Sequence, residues 1–207
     1  MKFDAEKSQI VESLQNAAAV AERRQTIPIL ANLRLKTLNG KLEVTATDLE
    51  IQIKTFSDLL DVEEEGETTV SARKMSELCR SLPDGEKVNF SLTSGKLTVR
   101  ANNFHADFAT ISPDDFPEIE INEELTPLKI SSSVLKRVLT KTSFSMASQD
   151  VRYYLNGMLL EVNGSQINGV ATDGHRLAFS SSSLVDSNLE VRNILPRKAV
   201  LELSKLL

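Results

Sequence analysis

Apolar and polar positions follow two rhythms along this chain. Ile10, Val11, Leu14, Ala17, Ala18 and Ala21 recur at helical spacing, which predicts an amphipathic helix over about residues 7–22. Arg23-Arg24 follows and places cations at a helix C-terminus, where the backbone dipole favours them. The rhythm then changes to strict alternation. Residues 32–38 and 41–47 alternate on either side of Asn39-Gly40, a hairpin signature, and residues 50–56 add a third strand. A short helix over about 73–82 stops at Leu82-Pro83-Asp84-Gly85. Residues 87–92 and 96–100 then form a second hairpin about Ser94-Gly95. One helix and a meander are followed by a second helix and a second meander, so the fold is mixed α and β.

A longer period is superimposed on this pattern. Leu42-Glu-Val-Thr-Ala-Thr-Asp48 resembles Ile167-Asn-Gly-Val-Ala-Thr-Asp173, 125 positions later. Ser71-Ala72-Arg73-Lys74 resembles Leu195-Pro196-Arg197-Lys198, and Asn32 resembles Asn156, both 124 positions later. The first helix has a counterpart in residues 133–142, where Val134, Leu135, Val138 and Leu139 form the apolar stripe. The chain is therefore expected to be a tandem of one fold, with domains at 1–122 and 123–207 joined through the acidic stretch 114–124. The second copy stops just after its short helix, so it is expected to be truncated before its last meander.

At 207 residues the chain is long enough for one or two domains with a core of their own. One cysteine, Cys79, excludes a disulfide framework, and two histidines with one cysteine make a structural zinc site a poor fit. No apolar run approaches a membrane span, and Met1-Lys2-Phe3-Asp4 does not open a signal peptide; a cytoplasmic protein is expected. The net charge of −5 argues, taken whole, against a nucleic-acid partner. Its distribution changes that inference. Residues 57–67 and 113–124 hold 12 of the 29 acids and no base, so the remainder has 17 acids against 24 basic residues. Two solvated acidic loops would account for this, as would faces of opposite sign.

Candidate chemistry is sparse. Asp173-Gly174-His175-Arg176 places an acid near an imidazole, and a hydrolase using Asp173 and His175 is one reading. The repeat partner Asp48 is followed by Leu49-Glu50 instead, so a turn-forming aspartate explains both copies better. Cys79, among Met75, Leu78 and Leu82, reads as a buried small hydrophobe, and His105 stands alone in a strand-like run. No catalytic residue, metal site or cofactor is predicted. Nucleic-acid candidates are stronger: Arg24 at the helix end, Arg73-Lys74 and Arg197-Lys198 opening the shorter helices, and Gln149-Asp150-Val151-Arg152-Tyr153-Tyr154. Tyrosines beside a basic residue suit stacking on exposed bases, although both could instead start a strand with one ring in the core.

Thr47-Asp48-Leu49-Glu50, Ser71-Ala72-Arg73-Lys74, Asp115-Phe116-Pro117, residues 149–157 and residues 170–177 together closely resemble the bacterial DNA polymerase III beta subunit family, the sliding clamps. The resemblance runs from Met1 to Leu207. It implies an α+β fold of tandem clamp domains, each of two helix-plus-antiparallel-meander halves, with helices on the inner face and sheets outside. It also implies that a third domain is absent here, that two full-length subunits close a ring on DNA, and that the 207-residue piece alone is monomeric. The implied activity is non-catalytic: a processivity factor that slides without sequence-specific contacts. The implied DNA contacts are Arg24 and Arg73 on duplex and Gln149, Tyr153 and Tyr154 on single-stranded template. Arg197 and Lys198 extend that set through the internal repeat. The family's partners (the polymerase III alpha subunit, the clamp loader, other polymerases and repair proteins) insert a linear peptide into a pocket. Leu155, Thr172, Gly174, His175, Arg176 and Leu177 match its wall. The implied ring interface uses the edge strand at about residues 104–109. A pure peptide-binding scaffold is the alternative.

Overall fold

The computed structural model describes residues 1–21, 27–119, 127–185 and 188–207. The chain divides into two compact units, Met1–Glu120 and Ile121–Leu207.

In the first unit β1 (Lys2–Glu6) leads into helix α1 (Lys7–Val20). Strands β2 (Asn32–Leu38), β3 (Lys41–Thr47), β4 (Gln52–Asp58), β5 (Asp61–Glu64) and β6 (Gly66–Ser71) follow, then helix α2 (Ala72–Ser81) and strands β7 (Lys87–Thr93), β8 (Lys96–Ala101) and β9 (Phe104–Ile111). The strands form one antiparallel sheet in the order β4-β3-β2-β6-β9-β8-β7-β1-β5. Its inward residues, among them Leu33, Leu35, Val44, Val88, Phe90 and Val99, share one core with Ile10 and Leu14 of α1 and Met75 and Leu78 of α2. Cys79 lies fully within that core, where burial pushes its thiol up to about 11. Asn39 and Gly40 both take positive φ, as the hairpin signature requires.

Helix α1 ends at Val20, and Arg23 and Arg24 lie outside the described residues. Two expectations need correction here. The acidic stretch 57–67 is not a loop. Asp61–Glu64 is the edge strand β5 and Glu67 lies in β6, because Val62 packs on the core while the neighbouring acids take the solvent side. Charged residues on an edge strand also discourage pairing with another chain. His105 is not alone: its Nε2 lies 3.2 Å from Asp107, whose carboxyl is held below the usual carboxylate range chiefly by Lys96, with Thr98 and His105 adding to it. Residues 104–109 pair with β8 along one side, while β6 reaches only Thr110 and Ile111 on the other, so most of β9 keeps one side unpaired by the described strands.

The second unit contains α3 (Ser132–Thr142), strands β10 (Gly157–Asn163), β11 (Gln166–Thr172), β12 (Leu177–Ser183) and β13 (Glu190–Pro196), and α4 (Arg197–Leu206). Its sheet runs β12-β11-β10-β13 and is the counterpart of β4-β3-β2-β6. The correspondence extends to individual pairs. Asn32 opposite Ser71 recurs as Gly157 opposite Pro196, and Arg34 opposite Thr45 recurs as Leu159 opposite Val170. Lys41 opposite Asp58 recurs as Gln166 opposite Ser183. Each of these residues lies 125 positions from its counterpart. The two offsets seen in the sequence therefore resolve into one. Asn32 corresponds to Gly157, Ala72 to Arg197 and Arg73 to Lys198, which corrects the pairing of Arg73 with Arg197.

Candidate nucleic-acid and partner-binding site

The turns that follow β3 and β11 are built alike. After β3, the Asp48 carboxylate accepts the backbone N–H groups of Glu50 and Ile51 at 3.1 and 2.9 Å. The Thr47 hydroxyl accepts from Leu49 N–H and donates to the Ile51 carbonyl. After β11, Asp173 accepts from the N–H groups of His175 and Arg176, both at 3.0 Å, and Thr172 accepts from Gly174 N–H and donates to the Arg176 carbonyl. Short polar side chains that bond backbone two or three residues ahead are what this turn needs. The third position takes a left-handed conformation in both: φ is +77° at Leu49 and +88° at Gly174.

Asp173 is thereby accounted for. The His175 and Arg176 N–H groups, and then the Arg176 guanidinium at 2.9 Å, hold its carboxyl below the usual range. Among the described residues its side-chain bonds go to the turn's backbone N–H groups and to Arg176, and none goes to the His175 ring, which a hydrolytic pair would need.

Beside this turn lies an open depression of about 520 Å³, lined by Phe144, Met146, Gln149, Asp150, Arg152, Asp173, His175, Arg176 and Arg197. Three guanidiniums converge on it. Arg152 grips Asp150 with two side-chain bonds of 3.0 and 2.9 Å, which lowers that carboxyl to about 2. Arg176 bonds the Phe144 carbonyl at 2.7 Å and stands 5.7 Å from the centre of its ring. Arg197 reaches the Met146 carbonyl at 3.1 Å. Gly174 sits against Arg152: a Cβ there would lie 3.1 Å from the guanidinium.

The expected site residues thus separate by role. His175, Arg176 and Gln149 line the depression, Gly174 abuts the Arg152 guanidinium, and the Thr172 hydroxyl shapes the turn. Leu155 is nearly buried, its carbonyl accepting Ala147 N–H at 3.0 Å, while Leu177 at the start of β12 is 65% exposed. Tyr153 and Tyr154 do not start a strand. They lie in a 3-10 turn (Tyr153–Leu155), 83% and 53% exposed, with rings edge-to-face at 6.2 Å. Arg73 is exposed on the first turn of α2, where Glu77 one turn on pairs with it at 2.9 Å and offsets the unfavourable helix dipole. Arg197 does not repeat that placement. It occupies the position of buried Ala72, one residue earlier on the helix, so its side chain turns in towards Met146. Arg24 lies outside the described residues. Arg152, expected only as the basic residue beside the tyrosines, also lines this depression, a place that the Asp150-x-Arg152 spacing signals; Phe144 was not expected there, and no sequence signal marks it.

A family model of the DNA polymerase III beta subunit N-terminal domain matches residues 1–120, and the model of its central domain matches residues 129–207. The chain belongs to this family. A beta sliding clamp from Pseudomonas aeruginosa is 43% identical over 208 residues, covering all of this chain and 57% of the relative. One from Escherichia coli K12 is 39% identical over 207 residues, with the same coverage. A solved sliding clamp from Pseudomonas aeruginosa, bound to griselimycin, matches the whole chain and 56% of its own with a TM-score of 0.93 at 42% identity. One from Caulobacter crescentus matches the whole chain and 57% of its own with a TM-score of 0.93 at 31% identity. The chain therefore spans little more than half the length of the relatives it matches, and within that span it has the α+β fold of the family.

Proposed function

We propose that this chain supplies the first and middle domains, divided at about residue 122, of a non-catalytic sliding clamp that encircles duplex DNA. The observation that carries this reading is the succession of both family domains in one chain, on a frame whose strand register repeats. A ring that slides must contact backbone without reading bases, so that successive positions along the duplex differ little in energy. Arg73, exposed and paired with Glu77 in an exchangeable surface ion pair, suits such a contact. Arg24 takes the same role. Gln149, 125 positions after Arg24, joins Tyr153 and Tyr154 in contacting single-stranded template by stacking and hydrogen bonding. Lys198, the counterpart of Arg73, faces the DNA as well, and Arg197 with its inward side chain does not.

The partner site comprises Leu155, Thr172, Gly174, His175, Arg176 and Leu177, extended by Arg152 and Phe144. It takes the linear peptide of the polymerase III alpha subunit, the clamp loader, and other polymerases and repair proteins in the cytoplasm. Exposed Leu177 and Phe144 beside Arg176 offer apolar surface next to directional donors, which suits a short peptide.

The test uses a polypeptide of the relatives' full length that contains this sequence, loaded on nicked circular DNA. Retention on the circle and rapid loss after linearisation are expected. Equal loss from both would leave the peptide-binding scaffold as the better reading. Hydrolytic turnover that disappears in His175→Ala would overturn both.

A further inference from the structure

After β9 and the 3-10 turn Pro113–Asp115, the chain runs back along the first unit's sheet as a short strap, residues 116–119. It is fastened at two places by different forces. Phe116 is buried with Ile29 and Leu30 in a small cluster separate from the main core. Two residues on, Glu118 pairs with Arg34 Nη1 and lies 3.7 Å from Lys54 Nζ, and the Ile119 N–H donates to Gln52 Oε1 at 3.0 Å. Arg34 is itself fixed: its side chain is 13% exposed, and its second terminal nitrogen bonds Glu67 on β6 at 2.9 Å. Lys54 is shared with Glu43 at 3.5 Å. The far end of the strap thus rests on two sheet-borne cations, Arg34 and Lys54, and the near end on apolar burial.

We propose that Glu118 is a salt-sensitive catch holding the strap at the end of the first unit, which opens beyond Pro117 without unfolding the unit. Burial of Phe116 is insensitive to ionic strength, whereas partly exposed ion pairs weaken as salt rises. Opening therefore proceeds from Glu118 and Ile119 and stops at Phe116. Strand pairs behind the strap are unaffected, because Arg34 keeps its bond to Glu67 when Glu118 leaves. The catch gives the chain a graded choice between a held and a released path out of the first unit, set by the ions around it. It concerns only contacts within the first unit and stands whether or not the protein encircles DNA.

Amide hydrogen exchange on the 207-residue chain, with Ile119 N–H as reporter and Val44 and Val70 N–H as references, is the test. Glu118→Gln at low salt should raise Ile119 exchange about tenfold, since a charge-assisted contact is lost, and leave the references unchanged. Raising salt to about 0.5 M, where the screening length falls to a few ångströms, should do the same to the parent protein and nothing further to the variant. Phe116→Ala should leave Ile119 protected at low salt, where Glu118 still holds it, and release it as salt rises; release at low salt would show that Phe116, not Glu118, is the catch. Unchanged Ile119 exchange in Glu118→Gln, or an equal rise at the reference amides, would overturn the catch.

Discussion

Position 44 in the first unit and position 169 in the second hold the same place in the repeated frame, yet one is a fully buried valine and the other is glycine. The helix above makes the opposite exchange. Ser13 of α1 corresponds to Val138 of α3, and the Val138 methyl stands where a Cβ on Gly169 would come within 2.6 Å. Bulk has moved from sheet to helix while the strand register stayed the same. The surfaces diverge further. Ile29 and Leu30 are covered in the first unit, where Phe116 of the strap packs on them, whereas their counterparts include Tyr154 at 53% exposure. Gln52, which holds Ile119 in place, corresponds to exposed Leu177. The first unit covers this face with its own chain. In the second, no described residue takes that place, and the exposed face is where the expected binding residues gather.

The largest expected effect comes from testing whether the two cores are independent. Leu139 and its counterpart Leu14 are both buried, but Leu139 belongs to a much smaller cluster. Leu139→Ala should cost about 3 kcal/mol and lower the second unit's thermal transition while leaving the first in place. Leu14→Ala should do the reverse. Hydrogen exchange resolved by unit checks this, and equal loss in both units would mean that they unfold as one.

A smaller effect tests the traded bulk. Gly169→Val alone should cost about 1–3 kcal/mol by overpacking against Val138. Adding Val138→Ser, which copies the first unit's arrangement, should recover at least half of that loss in denaturant melts. Strictly additive costs would show that the two positions do not share one space.

The turns supply the smallest effect. Leu49→Gly should change stability by less than about 1 kcal/mol, because relief of the left-handed conformation offsets the added chain entropy. Gly174→Leu should cost about 1–2 kcal/mol and displace the Arg152 guanidinium. Thermal melts measure both, and equal costs in the two directions would end the comparison of the turns.

Much of the frame is legible in the sequence. Alternation about Asn39-Gly40 and Ser94-Gly95 located both hairpins, and the Thr-Asp repeat located the two turns, because these signals are local. Strand β5 was hidden behind its acids, since an edge strand needs only one apolar side and Val62 alone carried it. The helix pairing slipped by one residue because Arg-Lys follows both Ser71-Ala72 and Leu195-Pro196. Composition matched at 124 positions while packing matched at 125. On a helix that slip is about a quarter turn, enough to carry Arg197 from solvent to the depression.

Sequence alone established the repeat, the element types, the family and the aspartates as turn formers, since each depends on neighbours a few positions apart or on a pattern counted along the chain. Tertiary structure decided which members of the motifs face outward. It exposed Tyr153 and Tyr154, drew Arg197 in to Met146, brought Arg152 against Gly174 and fastened Glu118 to Arg34. Those outcomes turn on contacts between residues tens of positions apart, and no local pattern encodes the direction of a side chain within them.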